Sequence, residues 1–333
     1  MYYLTCSMTP YIMSESNGIL LLVKATHYLV NTSRAGGLNN LGEDGYYNCS
    51  VSPSTISDDN SSQCPSESSV EPVNSLHTSS DHSMYIEQST SIRPIYMEDQ
   101  KYMTTHLRTG LVLFLTKLHL AHKLEPEVLS LAVNILDRFM TKRIVEMKEV
   151  KSLGVVCLLI ASKVLGGNCY LYQNEKLVEY LTGLVYYTTD DVKRIELDIL
   201  ARLDYRVSVP TSYTFLYIYL EASGGLAQKD IAQDALFIQE CTLSVYHLLE
   251  HLPSEIASGS IFIARIVNGI TPWSMALVKC TTRNEDAIVP IAKSILAVMP
   301  HIKCMFELKW IKDKYNKMNK SKISTMQELN ARL

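Results

Sequence analysis

Between Val150 and Ile160 the chain leaves a helix no face to give to water. Val150, Leu153, Val155, Val156, Leu158, Leu159 and Ile160 cover the whole circumference of a helix predicted over 146–165. A helix that is apolar all round must be enclosed by other helices. The flanking sequence supplies them. Glu125-Pro126-Glu127 opens a helix running through Leu129, Ala132, Val133, Leu136 and Met140, with proline at its start and acids at the positive end of its dipole. Two more are predicted over 173–184 and 189–203, before a break at Pro210. From Pro94 onward apolar residues recur at three- and four-residue spacing and no alternating strand pattern persists. The fold class is therefore all-α.

The 333 residues suffice for one large domain or two ordinary ones. Charge divides them unevenly. Residues 1–100 carry three Lys or Arg (Lys24, Arg34, Arg93) against eleven Asp or Glu, while the rest carries 28 against 23. Ala35 to Ile92 holds no Lys or Arg and is dominated by Ser, Thr, Asp, Asn and Pro. Such a segment cannot bury enough apolar surface to offset its chain entropy, so 1–93 is expected to be a disordered acidic region. Thr9-Pro10 and Ser52-Pro53 are minimal proline-directed phosphorylation sites within it. The small basic surplus of the body makes no case for nucleic acid. The early apolar run Ile19–Val23 stops at Lys24, too short to cross a membrane. None of the eight cysteines forms a C-x-x-C, and several sit inside apolar helical runs, which suits a reducing compartment.

Within the apolar runs three charges stand out: Arg108, Asp137 and Lys163. A buried charge is costly unless paired or used, so each calls for a partner. A weak internal echo also appears. Pro126 to Ile135 aligns with Pro253 to Ile263 with one slip, as if both copies opened the second helix of related all-helical domains. One string could carry chemistry by itself: His247-Leu248-Leu249-Glu250-His251 is an H-x-x-E-H, which in a helix over Val245–Leu252 places two imidazoles on one face. It names no third ligand, and the polar face of an ordinary helix explains it better. No G-x-x-x-x-G-K-[ST] loop and no kinase catalytic set is present. No cofactor or metal is implied.

Taken together, these residues resemble the cyclins, most closely the B-type (G2/mitotic) group. Leu107-Arg108-Thr109-Gly110-Leu111-Val112-Leu113-Phe114-Leu115 is similar to the family's M-R-A-I-L-V-D-W-L, and Pro94-Ile95-Tyr96-Met97-Glu98-Asp99-Gln100 to its P-x-Y-M-x-x-Q lead-in. Leu131 to Phe139 follows L-A-V-N-x-x-D-R-F, and Ala161-Ser162-Lys163 its A-S-K. Leu252-Pro253-Ser254 and Lys314-Tyr315 resemble the L-P-S and K-Y of the C-terminal cyclin fold. The resemblance implies two tandem five-helix domains after the tail: an N-terminal cyclin box over 94–208, a C-terminal cyclin fold over 209–325 and a short tail over 326–333. It implies that Arg108 pairs with Asp137 inside the first box. It further implies that Lys163 and Glu196, with Val164 beside them, meet main-chain groups of a cyclin-dependent serine/threonine kinase in a heterodimer.

The sequence departs from the family pattern in three places. Val164-Leu165-Gly166-Gly167 replaces an acidic pair after A-S-K. The patch that reads R-x-L motifs on substrates or inhibitors is expected to use Leu107, Leu111, Phe114, Val150 and Lys151. There Gly110 stands for a bulky aliphatic, Phe114 for Trp and Lys151 for Gln, which makes a shallower groove. Arg34-Ala35-Gly36-Gly37-Leu38 misses an R-x-x-L destruction box by one position, and no N-terminal helix is legible around Tyr85–Thr90. The function implied is a non-catalytic activating subunit of a cell-cycle kinase, at G2/M, in nucleus and cytoplasm, with no nucleic acid or membrane partner. The alternative is a cyclin-fold interaction protein or transcriptional adaptor that no longer activates a kinase.

Overall fold

The computed structural model describes Ser83, Ile86, Glu87 and residues 96–166, 171–183, 187–316 and 318–333. Every regular element among the described residues is helical, thirteen α-helices and two 3-10 turns. The first bundle comprises α1 (Thr105–Ala121), α2 (Pro126–Met140), α3 (Val150–Gly166), α4 (Leu171–Thr182) and α5 (Thr189–Arg202). Local chemistry sets where these begin. The Thr104 hydroxyl accepts from the Leu107 N–H at 3.2 Å, and Pro126 opens α2. Thr188 and Asp191 cap one another at the start of α5, each side chain accepting from the other's backbone N–H at 3.1 and 2.9 Å.

Helix α3 lies at the centre, touching α1, α2, α4 and α5, with twelve of its seventeen residues buried. This is the enclosure that its all-round apolar sequence demands. It begins at Val150 rather than 146, because the Glu149 N–H closes a turn on the Glu146 carbonyl at 2.9 Å. Gly154 lets α1 lie close: a β-carbon there would stand 3.0 Å from Leu111 Cδ1.

The second bundle contains α6 (Ser212–Ala222), α7 (Lys229–Leu243), α8 (Pro253–Val267), α9 (Met275–Thr281) and α10 (Glu285–Leu296). Three more helices follow: α11 (Met299–Glu307), α12 (Lys309–Lys314) and α13 (Lys320–Arg332). Here α8 is the enclosed helix, packed by α6, α7, α10 and α13. That corrects the register of the internal echo. Pro253 opens the third helix of its bundle and Pro126 the second, so the structural counterpart of α8 is α3, not α2. Proline is favoured at the first helical position of any helix, which is how the two starts came to look alike.

Residues 326–333 are not a tail. Met326 is fully buried in α13, and Lys322 of the same helix donates at 2.6 Å to Asp234, a fully buried carboxylate on α7. Lys314 and Tyr315 likewise both reach the buried Glu240, the tyrosine hydroxyl at 2.7 Å. Two lysines from the end of the chain thus neutralise two acids that the second core could not otherwise hold.

The two cores meet along α1 and α2. Leu113 of α1 inserts into the second core, and Thr109 Oγ1 donates to the Ser244 carbonyl at 2.9 Å. Gln239 Nε2 bridges Ser130 Oγ and Ser212 Oγ at 3.2 and 2.7 Å. The acidic region expected over 1–93 lies outside the described residues except at Ser83, Ile86 and Glu87. Glu87 is buried, and its Oε1 accepts from the Ser254 N–H at 2.6 Å in the first turn of α8. Burial raises its carboxyl above the usual range even with that bond in place. Among the described residues no single helix is long and apolar enough to cross a membrane.

Candidate functional site

The structure brings the four sequence-singled charges together as two ion pairs of nearly equal length in opposite surroundings. Arg108 and Asp137 are both fully buried. The guanidinium grips the carboxylate with two parallel bonds, Nε to Oδ1 at 2.7 Å and Nη2 to Oδ2 at 2.6 Å. Burial alone would draw the proton off Arg108, but the Asp137 charge outweighs it and holds the group above its ordinary range. Two tyrosines that the sequence reading did not single out complete the cluster. Tyr96 Oη donates to Asp137 Oδ1 at 2.7 Å, which ties the 3-10 turn Tyr96–Asp99 to α2. Tyr246, from the second bundle, accepts from the Met97 N–H at 2.9 Å, meets Tyr96 edge-on and lies 6.0 Å from the Arg108 guanidinium. Within this cluster, Arg108 Nη1 is left without a hydrogen-bond partner.

Lys163 and Glu196 face solvent. Lys163 Nζ donates to both Glu196 oxygens at 2.7 and 2.8 Å, joining the end of α3 to the middle of α5. The lysine side chain is 44% exposed and the glutamate 17%. Next to them in the chain, Val164, Leu165 and Leu197 are all exposed, and Tyr205 is exposed in the turn after α5. Asp204 and Tyr205 both take left-handed backbone, φ 52° and 59°. An aromatic residue in that conformation is strained, and such strain collects where surfaces are used. The pair thus presents a donor and acceptors at the surface, with exposed aliphatic residues next to it in the chain.

Of the residues expected to line the R-x-L patch, Leu111 is fully buried, Val150 nearly so, and Phe114 rests against the Tyr180 ring with centroids 6.2 Å apart. The cause is Gly154, which draws α1 onto α3 and takes Leu111 into the core. Only Leu107 and Lys151 keep part of their surface. The H-x-x-E-H string is also recast. Tyr246–Glu250 is a 3-10 turn, not the helix expected over Val245–Leu252, so His247 and His251 share no α-helical face. His251 instead approaches Glu250 and Glu255 at 3.6 and 3.7 Å. Among the described residues no group of three His, Cys, Asp or Glu is placed to hold a metal ion.

The family model described as "Cyclin, N-terminal domain" matches residues 81–208, and "Cyclin, C-terminal domain" matches 210–329. The chain belongs to the cyclin family. The first match begins ahead of the boundary expected at 94, in keeping with the burial of Glu87. This cyclin is 29% identical over 226 residues to a G2/mitotic-specific cyclin-2 of Medicago sativa, covering 66% of this chain and 65% of that one. It is 29% identical over 236 residues to Cyclin-B1-3 of Arabidopsis thaliana, covering 69% and 54%. With G2/mitotic-specific cyclin-4 of Saccharomyces cerevisiae it shares 30% over 209 residues, covering 61% and 43%. The chain thus spans between 43% and 65% of the length of these curated relatives. Among solved structures, a viral cyclin from herpesvirus saimiri superposes with a TM-score of 0.53 at 20% identity, over 73% of this chain and 96% of that one. That likeness is one of fold.

Sequence reasoning did not single out Tyr246, Leu197 and Tyr205 in this cyclin. For Leu197 a signal existed: it interrupts the polar face of α5 with an aliphatic side chain. Tyr246 carried none, since only the meeting of the two bundles brings it to Arg108.

Proposed function

We propose that this cyclin is the activating, non-catalytic subunit of a cyclin-dependent serine/threonine kinase and acts at the G2/M stage of the cell cycle. The observation that carries the reading is the Lys163–Glu196 pair, exposed at the join of α3 and α5 and rimmed by Val164, Leu165 and Leu197. Helix ends in a partner leave backbone N–H and C=O groups unsatisfied. The ammonium keeps a third donor beyond the two spent on Glu196, and the carboxylate keeps lone pairs free, so the pair can serve both kinds of group. Fixing a mobile kinase helix there favours the state in which the kinase's own Lys–Glu ion pair is set for phosphoryl transfer. The G2/M assignment draws on the mitotic names of the relatives.

Binding and activation of a purified cyclin-dependent kinase by the full chain test the proposal. Saturable binding with a rise in histone phosphorylation is the expected result. A chain that binds no such kinase would instead be an interaction adaptor built on the same fold.

A further inference from the structure

Glu196 is held on one flank of α5 by Lys163. A separate ion network holds the other flank. Arg143, in the loop between α2 and α3, donates from Nη2 to both Glu149 oxygens at 3.0 and 2.9 Å. From Nη1 it reaches Asp198 Oδ2 on α5 at 3.3 Å. The other Asp198 oxygen accepts from Arg202 Nε at 2.8 Å, and both guanidiniums lie about 6 Å from the Phe139 ring, at 5.9 and 6.0 Å.

The backbone under Arg143 is itself fixed. Gln100 Nε2 donates to the Arg143 and Met140 carbonyls, each at 2.7 Å, and Gln100 Oε1 accepts from the Val145 N–H at 3.0 Å. The loop therefore offers α5 a rigid post.

Two residues along a helix is a rotation of about 200°, so Asp198 leaves α5 on the side nearly opposite Glu196. On that side α5 borders an open cleft of ≈ 760 Å³, lined by Arg143, Lys148, Tyr187, Asp191, Ile195 and Asp198 among others. Val192 and Ile199 seat α5 in the first core, with Ile195 packed beside them, and the charges add a second hold on the cleft side. On that apolar seat Lys163 and Arg143 grip α5 from opposite flanks, which trims its rotation and hence the direction in which Glu196 points.

We propose that Arg143 is a positioning residue for kinase docking, acting through Asp198 and α5 on Glu196. This rests on the docking reading given above. Removing Arg143 lets α5 turn slightly on its apolar seat, so the Glu196 carboxylate meets its partner in a less sharply set direction.

The test measures binding of a purified cyclin-dependent kinase to the full chain by calorimetry, with thermal unfolding alongside, for Arg143→Gln, Glu196→Gln and the two combined. Arg143→Gln is expected to weaken binding about fivefold, yet to add less than about twofold once Glu196→Gln is present, the non-additivity of coupled sites. The conservative Arg143→Lys, which keeps a cation between Glu149 and Asp198, should retain most of the affinity that Arg143→Gln loses. If Glu196→Gln weakens binding while Arg143→Gln does not, the positioning role falls and the docking reading stands. Equal losses from Arg143→Gln in both backgrounds also overturn it. If Glu196→Gln leaves kinase affinity untouched, the docking reading falls and takes the positioning role with it.

Discussion

Two ion pairs of almost the same length divide the work of the first bundle. Arg108–Asp137 closes at 2.6 Å with both side chains wholly excluded from water; Lys163–Glu196 closes at 2.7 Å with its lysine 44% exposed. Distance therefore says nothing about role, and surroundings say nearly everything. In the interior an orphaned charge keeps its full desolvation penalty, so the inner pair must be complete for the bundle to exist. At the surface water replaces a lost partner, and such pairs contribute little to stability. The outer pair is free to be used for recognition.

The sharpest way to break this comparison is to remove one inner partner. Asp137→Ala should cost about 3–5 kcal/mol in urea or thermal unfolding, because Arg108 is left buried without a counter-charge. Asp286→Ala, at an exposed position in α10, should stay within about 0.5 kcal/mol. Equal effects from the two would show that the inner pair does not hold α1 to α2.

Burial without a bonded counter-ion gives the opposite protonation outcome, and pH exposes it. Burial lowers His119 to about 4, helped by the nearby Lys314 charge, and lowers His301 to about 4 as well. Both imidazoles are therefore neutral in the folded chain, while in the unfolded chain they take up a proton near 6.5. Their stabilisation is present above pH 6.5 and is lost progressively as pH falls from there toward 4, by up to about 3 kcal/mol for each. Urea unfolding across that window should show the loss. A stability flat between pH 7 and pH 4.5 would contradict it.

A smaller effect tests whether Tyr96 belongs to the inner cluster. Tyr96→Phe removes only the hydroxyl that donates to Asp137 Oδ1 and leaves Arg108 in place. A hydrogen bond to a charged group is worth about 1.5–3 kcal/mol, so destabilisation should fall in that range, below Asp137→Ala. No change in the unfolding midpoint would make Tyr96 a bystander.

Much of this arrangement is legible in the sequence, and the reason is periodicity. The apolar circumference of Val150–Ile160 identifies the central helix, and charges inside apolar runs mark Arg108, Asp137 and Lys163. What escaped depended on contacts between distant segments. Tyr246 reaches Arg108 only because the second bundle packs on α1. Leu111 reads as a surface residue until Gly154 draws α3 against it. Glu87 sits in a stretch whose average composition is polar and acidic, and averaging hides a single carboxylate buried at the start of α8. Residues 326–333 look like a tail because half of them are polar, yet Met326 is fully buried and Leu329 and Leu333 pack against the same core.

The measurement that tests the central claim most directly is charge reversal at the outer pair, with stability and kinase activation read on the same sample. Lys163→Glu and Glu196→Lys, separately, should each keep unfolding free energy within about 1 kcal/mol of the unaltered chain. Each should nevertheless abolish activation of a purified cyclin-dependent kinase. Full activation by either variant with folding intact would contradict the account, since the outer pair would then be one more surface salt bridge.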